Sequence, residues 1–395
     1  MICTKTFPFV QEYLKELDEQ LHAINSGYGL SWIQRKWLAF CLVGVWVTGT
    51  LCWSKFEQYS LGKYSVSALS WLFRRSKIIW DWLLVAAVRA IVKKYALSSG
   101  HLVIDDTDRK RSKSTTEIAY IHKVYDKKTG GYFMGQNIVF LLLVTEKITI
   151  PVGFRFYRPD PKKSLWNQKD EELRKQKIPK SKRPAPPEND PAFPTKIELG
   201  VSLLREFKKN FADFDIQSIS ADAAYGSGDF FRSTAKLYPG TQVISQLRNN
   251  QKVFYRGKEV PVCNVFSGMT PIAATVSIRG GEIKSISMVA ARLKVESHGK
   301  TQMVVALKYE EEDDYRYIVA ADLSWRAIDV VKAYSMRWLV GASRQGRINK
   351  SVKVRPRLKG SRPRSTGGAM ARKQDGGALR QHSLKGGCAK LQVVM

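Results

Sequence analysis

Cysteine and histidine are scarce in this sequence, five of each in 395 residues. The cysteines fall at 3, 41, 52, 263 and 388 and the histidines at 22, 101, 122, 298 and 382, with no CxxC pair and no cluster. Neither a zinc site nor a disulfide framework is indicated, which fits a reducing cytoplasm. Acidic residues are few as well: 35 Asp and Glu against 65 Lys and Arg leave a formal charge of +30. Charge of that size exceeds what solubility requires and predicts a polyanionic partner, nucleic acid before a membrane surface. Long apolar runs are also missing. The one membrane-like stretch, residues 37 to 53, is interrupted by two Gly and two Thr and sits at the short limit for a bilayer span. A second run, 78 to 92, contains Asp81 and Arg89. Both read as core helices, and no membrane association is expected.

What the chain does contain is 44% hydrophobic and 11% aromatic residues, enough for a folded protein of two or three domains. Residues 1–98 carry helix-length apolar segments, seven of the ten tryptophans and interspersed cations including Arg74 and Arg75. They predict a helical, basic N-terminal domain suited to DNA contact. The period then changes. HLVIDDT (101–107), NIVFLLLVT (137–145) and ITIPVGFRFY (148–157) are short, near-continuous apolar runs, the pattern of strands buried in a sheet. Residues 159–194 hold eight of the fifteen prolines and many Lys and Glu, and read as a surface loop. A helix with Ile197, Val201, Leu204 and Phe207 on one face follows, then a strand at 215–221, a helix near 229–237 and a strand at 241–247. These segments make 99–249 a mixed α/β core. Alternating short strands and turns predict a β-rich insertion over 250–322. A helix over 325–340, with Ser324 as its N-cap and Ile328, Val331 and Trp338 toward the sheet, completes the pattern.

Two strands end in carboxylates: Asp105 and Asp106 after LVI, and Asp222 after ISA. Such aspartates often cap turns. On adjacent buried strands they also suit a pair of hard divalent ions about 3.5 to 4 Å apart, which clamp the attacking and leaving oxygens of a phosphodiester. Oxygen ligands with no Cys or His nearby favour Mg²⁺ or Mn²⁺ over zinc.

LVIDDT, ISADAAYGSGDFF, VISQLRNN and YSMRW, taken together, resemble the DDE transposases of bacterial insertion sequences, specifically the insertion sequence 4 family. The resemblance spans about residues 65–340. It implies an RNase H-like mixed sheet interrupted by a β-rich insertion, metal-dependent strand cleavage and 3′-hydroxyl strand transfer. The partners it implies are double-stranded DNA, both transposon ends and target, and a homodimer in a synaptic complex at the nucleoid. No small-molecule substrate is implied. By the same resemblance Asp105 is the first metal ligand, with Asp106 the alternative, and Asp222 is the second. Tyr334 and Arg337 match the start of the signature Tyr-x2-Arg-x3-Glu-x6-Lys. Arg337, and less directly Arg248, would contact phosphate. The signature's Glu position is Gly341 and its Lys position is Ile348, so the expected third acid is missing. Asp329 is a dozen residues too early, about 18 Å along a helix, and Glu310 to Asp314 belong to the insertion.

Aromatics vanish at the same place. Residues 341–395 contain 14 Lys or Arg, one acidic residue (Asp375), nine Gly and no aromatic. This abrupt change predicts a frameshifted or truncated C-terminal part, a basic disordered tail in place of the last helices. The competing reading is a natural basic DNA-binding tail. The tail accounts for +13 of the charge and leaves +17 on residues 1–340.

Overall fold

The computed structural model describes residues 6–111, 119–126, 129–278 and 282–338. The expected tail, Gly341 and Ile348 therefore lie outside the described residues, as does the side chain of Trp338.

Five helices come first: α1 (Pro8–Ile24), α2 (Trp32–Thr48), α3 (Trp53–Tyr59), α4 (Val66–Arg75) and α5 (Trp80–Lys94). Helix α1 buries Val10, Leu14, Leu17 and Leu21, the three-and-four spacing of one helical face. A reciprocal capping box between Ser31 and Gln34 starts α2, and Gly49, at φ 65°, ends it. That left-handed turn suits glycine because it has no Cβ to clash. The two apolar runs become α2 and α5. Among the described residues no single helix is long and apolar enough to cross a membrane, although α2 and α3, bent by 89°, would suffice together by length and composition.

The sheet strands are β1 (Ser99–Lys110), β2 (His122–Asp126), β3 (Gly131–Val144) and β4 (Thr149–Tyr157). After helices α6 (Pro161–Lys175) and α7 (Lys196–Asn210) come β5 (Asp215–Ala221), helix α8 (Gly228–Leu237) and β6 (Gln242–Leu247). Strand β3 pairs antiparallel with both β1 and β4. Strand β5 is parallel to β1, and β6 is parallel to β5. The core order is thus β4-β3-β1-β5-β6, third, second, first, fourth and fifth in chain order with the last two parallel to the first. This is the RNase H-like mixed sheet expected from the sequence. Nearly unbroken burial along β1 up to Ile104 and along β5 up to Ala221 reflects coverage of both sheet faces.

The inserted strands β7 (Lys252–Tyr255), β8 (Lys258–Pro261), β9 (Ile272–Ile278), β10 (Glu282–Val295), β11 (Lys300–Tyr309) and β12 (Arg316–Ala320) flank a short helix α9 (Val262–Phe266). They extend the same sheet, because β12 pairs antiparallel with β6 and β11, β10 and β7 follow outward. One apolar core runs from the N-terminal helices through β1, β3, α7 and β5.

Three local expectations need correction. The polar stretch 159–194 contains helix α6, capped by the Asp160 carboxylate on the Lys162 N–H. It buries no residue, so no apolar period announced it. The last helix, α10 (Ala327–Ser335), has Arg326 as its N-cap rather than Ser324, whose N–H instead donates to Asp322. The α-helix ends at Ser335 and tightens into a 3-10 turn over Met336–Trp338; residues 339–340 of the expected helix lie outside the described residues.

Candidate active site

Parallel pairing of β1 with β5 ends at Ile104 opposite Ala221. The next residue in each case is an aspartate: Asp105 lies partway along β1, which runs on beside β3 to Lys110 instead of ending in its carboxylates as expected, and Asp222 follows the last residue of β5. Asp105, Asp106 and Asp222 are each half-buried, and each offers one carboxylate oxygen within 4.8 Å of the other two.

Alternation along β1 sends neighbouring side chains to opposite faces. Leu102 and Ile104 belong to the large core shared with α7. Val103 instead packs with Leu142, Val144 and Met336. Asp105 accordingly lies on the side of α10 and its 3-10 turn, where Arg337 Nη1 stands 3.7 Å from Asp105 Oδ1. Asp106 lies on the α7 side, paired with Lys196 at the first turn of that helix. The Asn137 amide of β3 also donates to Asp106 Oδ2, at 3.2 Å.

Asp222 is fixed by its own turn. Its Oδ1 accepts from the Ala224 N–H at 2.8 Å and its carbonyl from the Ser245 hydroxyl at 2.7 Å. Burial raises its pKa above the ordinary carboxylate value, the Asp106 charge adds to the rise, and the Ala224 N–H, Arg337 and Lys196 oppose it. Three residues on, Tyr225 is fully buried, and its hydroxyl has no hydrogen-bond partner among the described residues. Burial, then the charges of Asp106, Asp222 and Asp105, push its pKa up. An orphaned hydroxyl beside three carboxylates, with hard oxygen donors throughout, fits a divalent cation of the Mg²⁺ or Mn²⁺ type.

Tyr334 is fully buried in α10, and its hydroxyl donates to Gln246 Oε1 of β6 at 2.9 Å. The Arg337 guanidinium lies over its ring at 5.2 Å, and Arg337 Nε is buried with no hydrogen-bond partner among the described residues. Of the residues singled out from sequence, Asp105, Asp106, Asp222, Tyr334 and Arg337 gather here. Arg248 is exposed one residue past β6, at the sheet end that holds Asp222. Arg74 and Arg75 are exposed on the last turn of α4. Sequence reasoning missed Lys196, Asn137 and Gln246. It had quoted Tyr225 within DAAYG, but nothing in that motif announces a buried, unpartnered hydroxyl.

A family model described as "DDE superfamily endonuclease" matches residues 65–266, about half of the chain, including all three aspartates. A solved structure, the NurA nuclease from Sulfolobus solfataricus, is similar at 8% identity and a TM-score of 0.27, over 60% of this chain and 72% of that one. So slight a likeness carries no argument. No curated protein matches the sequence.

Proposed function

The chain belongs to the DDE superfamily of endonucleases, and from that membership we propose that it is a transposase of the insertion sequence 4 type, built to cut and join double-stranded DNA. The observation that carries this reading is the gathering of three carboxylates from two adjacent parallel strands within 4.8 Å. Divalent ions bound there would supply an activated oxygen nucleophile and neutralise charge developing on the phosphodiester. Asp105 and Asp222 are the proposed principal ligands. The choice of Asp105 over Asp106 is supported by its lying on the side of Arg337 and α10. Arg337 would exchange its bond to Asp105 for one to a substrate phosphate, and Tyr334, stacked beneath it and tied to Gln246, is a positioning residue. The +17 on residues 1–340 supports DNA as the partner, with Arg74, Arg75 and Arg248 as outlying phosphate contacts and a second copy of the chain in the synaptic complex.

Gly341 supplies no carboxylate where the signature has Glu. Asp106 offers a third oxygen to the cluster, but from the α7 side of the sheet. We therefore propose that this chain holds metal and DNA yet does not cut. Incubated with Mn²⁺ and supercoiled plasmid, the full chain should leave the plasmid unnicked while Mn²⁺ binding is measurable by electron paramagnetic resonance. Nicking that Asp222→Asn abolishes would overturn the proposed inactivity. Absence of Mn²⁺ binding would overturn the metal-centre reading itself.

A further inference from the structure

Beside the carboxylates, between the β2–β3 hairpin and α6, lies a groove of about 670 Å³, within the size range of small-ligand sites. Its outer rim is made by Tyr125 and Tyr132, cross-strand partners whose rings meet edge to face at 5.4 Å. They stay 51% and 69% exposed, which leaves both ring faces open to a stacking partner. Its wall is Tyr157, with the Lys196 ammonium 5.5 Å from the ring centroid and the His122 ring edge-on at 5.9 Å. Lys123 adds a further cation, and none of the described lining residues is acidic. The inner end is Lys196 and Asn137, the same two side chains that hold Asp106. The lining thus combines an exposed aromatic pair, Lys123 and the two side chains that hold Asp106.

We propose that this groove receives an unpaired nucleotide segment of the DNA whose phosphodiester lies at the carboxylates. The inference rests on the reading of those carboxylates as a phosphodiester centre. Tyrosine faces stack on any base, and flanking cations follow the backbone; together they form a single-strand site with little sequence preference. A flat, wholly charged surface would serve duplex phosphates equally well, but exposed rings add nothing to a base pair that stays stacked in its helix. The rings therefore favour strands that have left the duplex beside the carboxylates.

The test uses the full chain in EDTA, so that neither metal nor catalysis contributes. The probes are a blunt duplex and the same duplex with a short single-stranded overhang carrying 2-aminopurine. Stacking should quench the overhang fluorescence. In the double variant Tyr125→Ala/Tyr132→Ala, affinity for the overhang duplex should fall roughly tenfold or more, with the blunt duplex changed less than threefold. Tyr125→Phe/Tyr132→Phe should retain the wild-type preference, since stacking needs the ring and not the hydroxyl. Equal losses on both probes, or none on either, would overturn the proposal. So would sedimentation showing that the alanine variant changes oligomeric state, which would assign the tyrosine pair to a second copy of the chain. The two readings fail separately: Mn²⁺ binding with no overhang effect removes only the groove, and an overhang effect without Mn²⁺ binding removes only the metal centre.

Discussion

Neutralising Asp222 should stabilise the metal-free chain and remove its response to metal. Its carboxylate has an oxygen within 4.8 Å of oxygens on Asp105 and Asp106. At that separation and an effective dielectric of 20, each pair of like charges repels by about 3.5 kcal/mol. Burial is the larger force against the charged form and the Asp106 charge adds to it; the Ala224 N–H, Arg337 and Lys196 oppose both, and the raised pKa of Asp222 gives the net sign. Asparagine has the same shape and can still accept the Ala224 N–H through its amide oxygen. In EDTA near pH 7.5, Asp222→Asn should therefore unfold in urea with a free energy about 1 to 2 kcal/mol larger than wild type. Wild type should gain about 2.7 kcal/mol from Mn²⁺ at a hundred times its dissociation constant, and the variant little. Because the folded-state pKa is raised, protonation favours the native state, and this contribution to stability is lost as pH rises through the folded value. The variant's advantage should accordingly shrink as pH falls toward the ordinary carboxylate range, about 4. Circular dichroism across urea at several pH values measures all three. A variant less stable than wild type in EDTA, or one that Mn²⁺ stabilises equally, would refute the reasoning.

Tyr225→Phe removes a buried hydroxyl that makes no hydrogen bond among the described residues and keeps the ring. Its unfolding free energy should match or exceed wild type by up to about 1 kcal/mol, and a loss larger than that would mean the hydroxyl has a partner in solution. Lys196→Met takes away the ammonium paired with Asp106. The metal-free chain should lose about 1 to 3 kcal/mol while Mn²⁺ affinity rises roughly tenfold, since about 1.4 kcal/mol of competing attraction is gone; weaker Mn²⁺ binding in a paramagnetic resonance titration would contradict this. Duplex DNA affinity of the full chain should fall on the order of a hundredfold between 50 and 200 mM salt as counterions are released, and a flat fluorescence-anisotropy response would show that the basic charge is not a DNA footprint.

The aspartates were legible because each ends a run of apolar residues, and a strand buried on both faces announces itself without periodicity. Their adjacency was only half legible. It depends on the register of β1 against β5, which no local pattern encodes. Lys196 and Asn137 carried no signal: one sits at the first position of a well-capped helix, the other midway along a buried strand, and both gain meaning only from a residue far away in sequence. Helix α6 was hidden for the opposite reason, because a helix that buries nothing has no apolar stripe to read. Likewise, the outward extension of the core sheet by the inserted strands follows from the pairing of β12 with β6, a long-range choice invisible in short alternating segments.

The two ion pairs on the acidic cluster have a consequence for the life history of the chain. Small metal-organised domains stay unfolded until their ion arrives. Here Lys196 and Arg337 already stand against Asp106 and Asp105, so most of the negative charge is answered from within. The sheet can then assemble before any ion is bound, and withholding metal would leave the protein its shape.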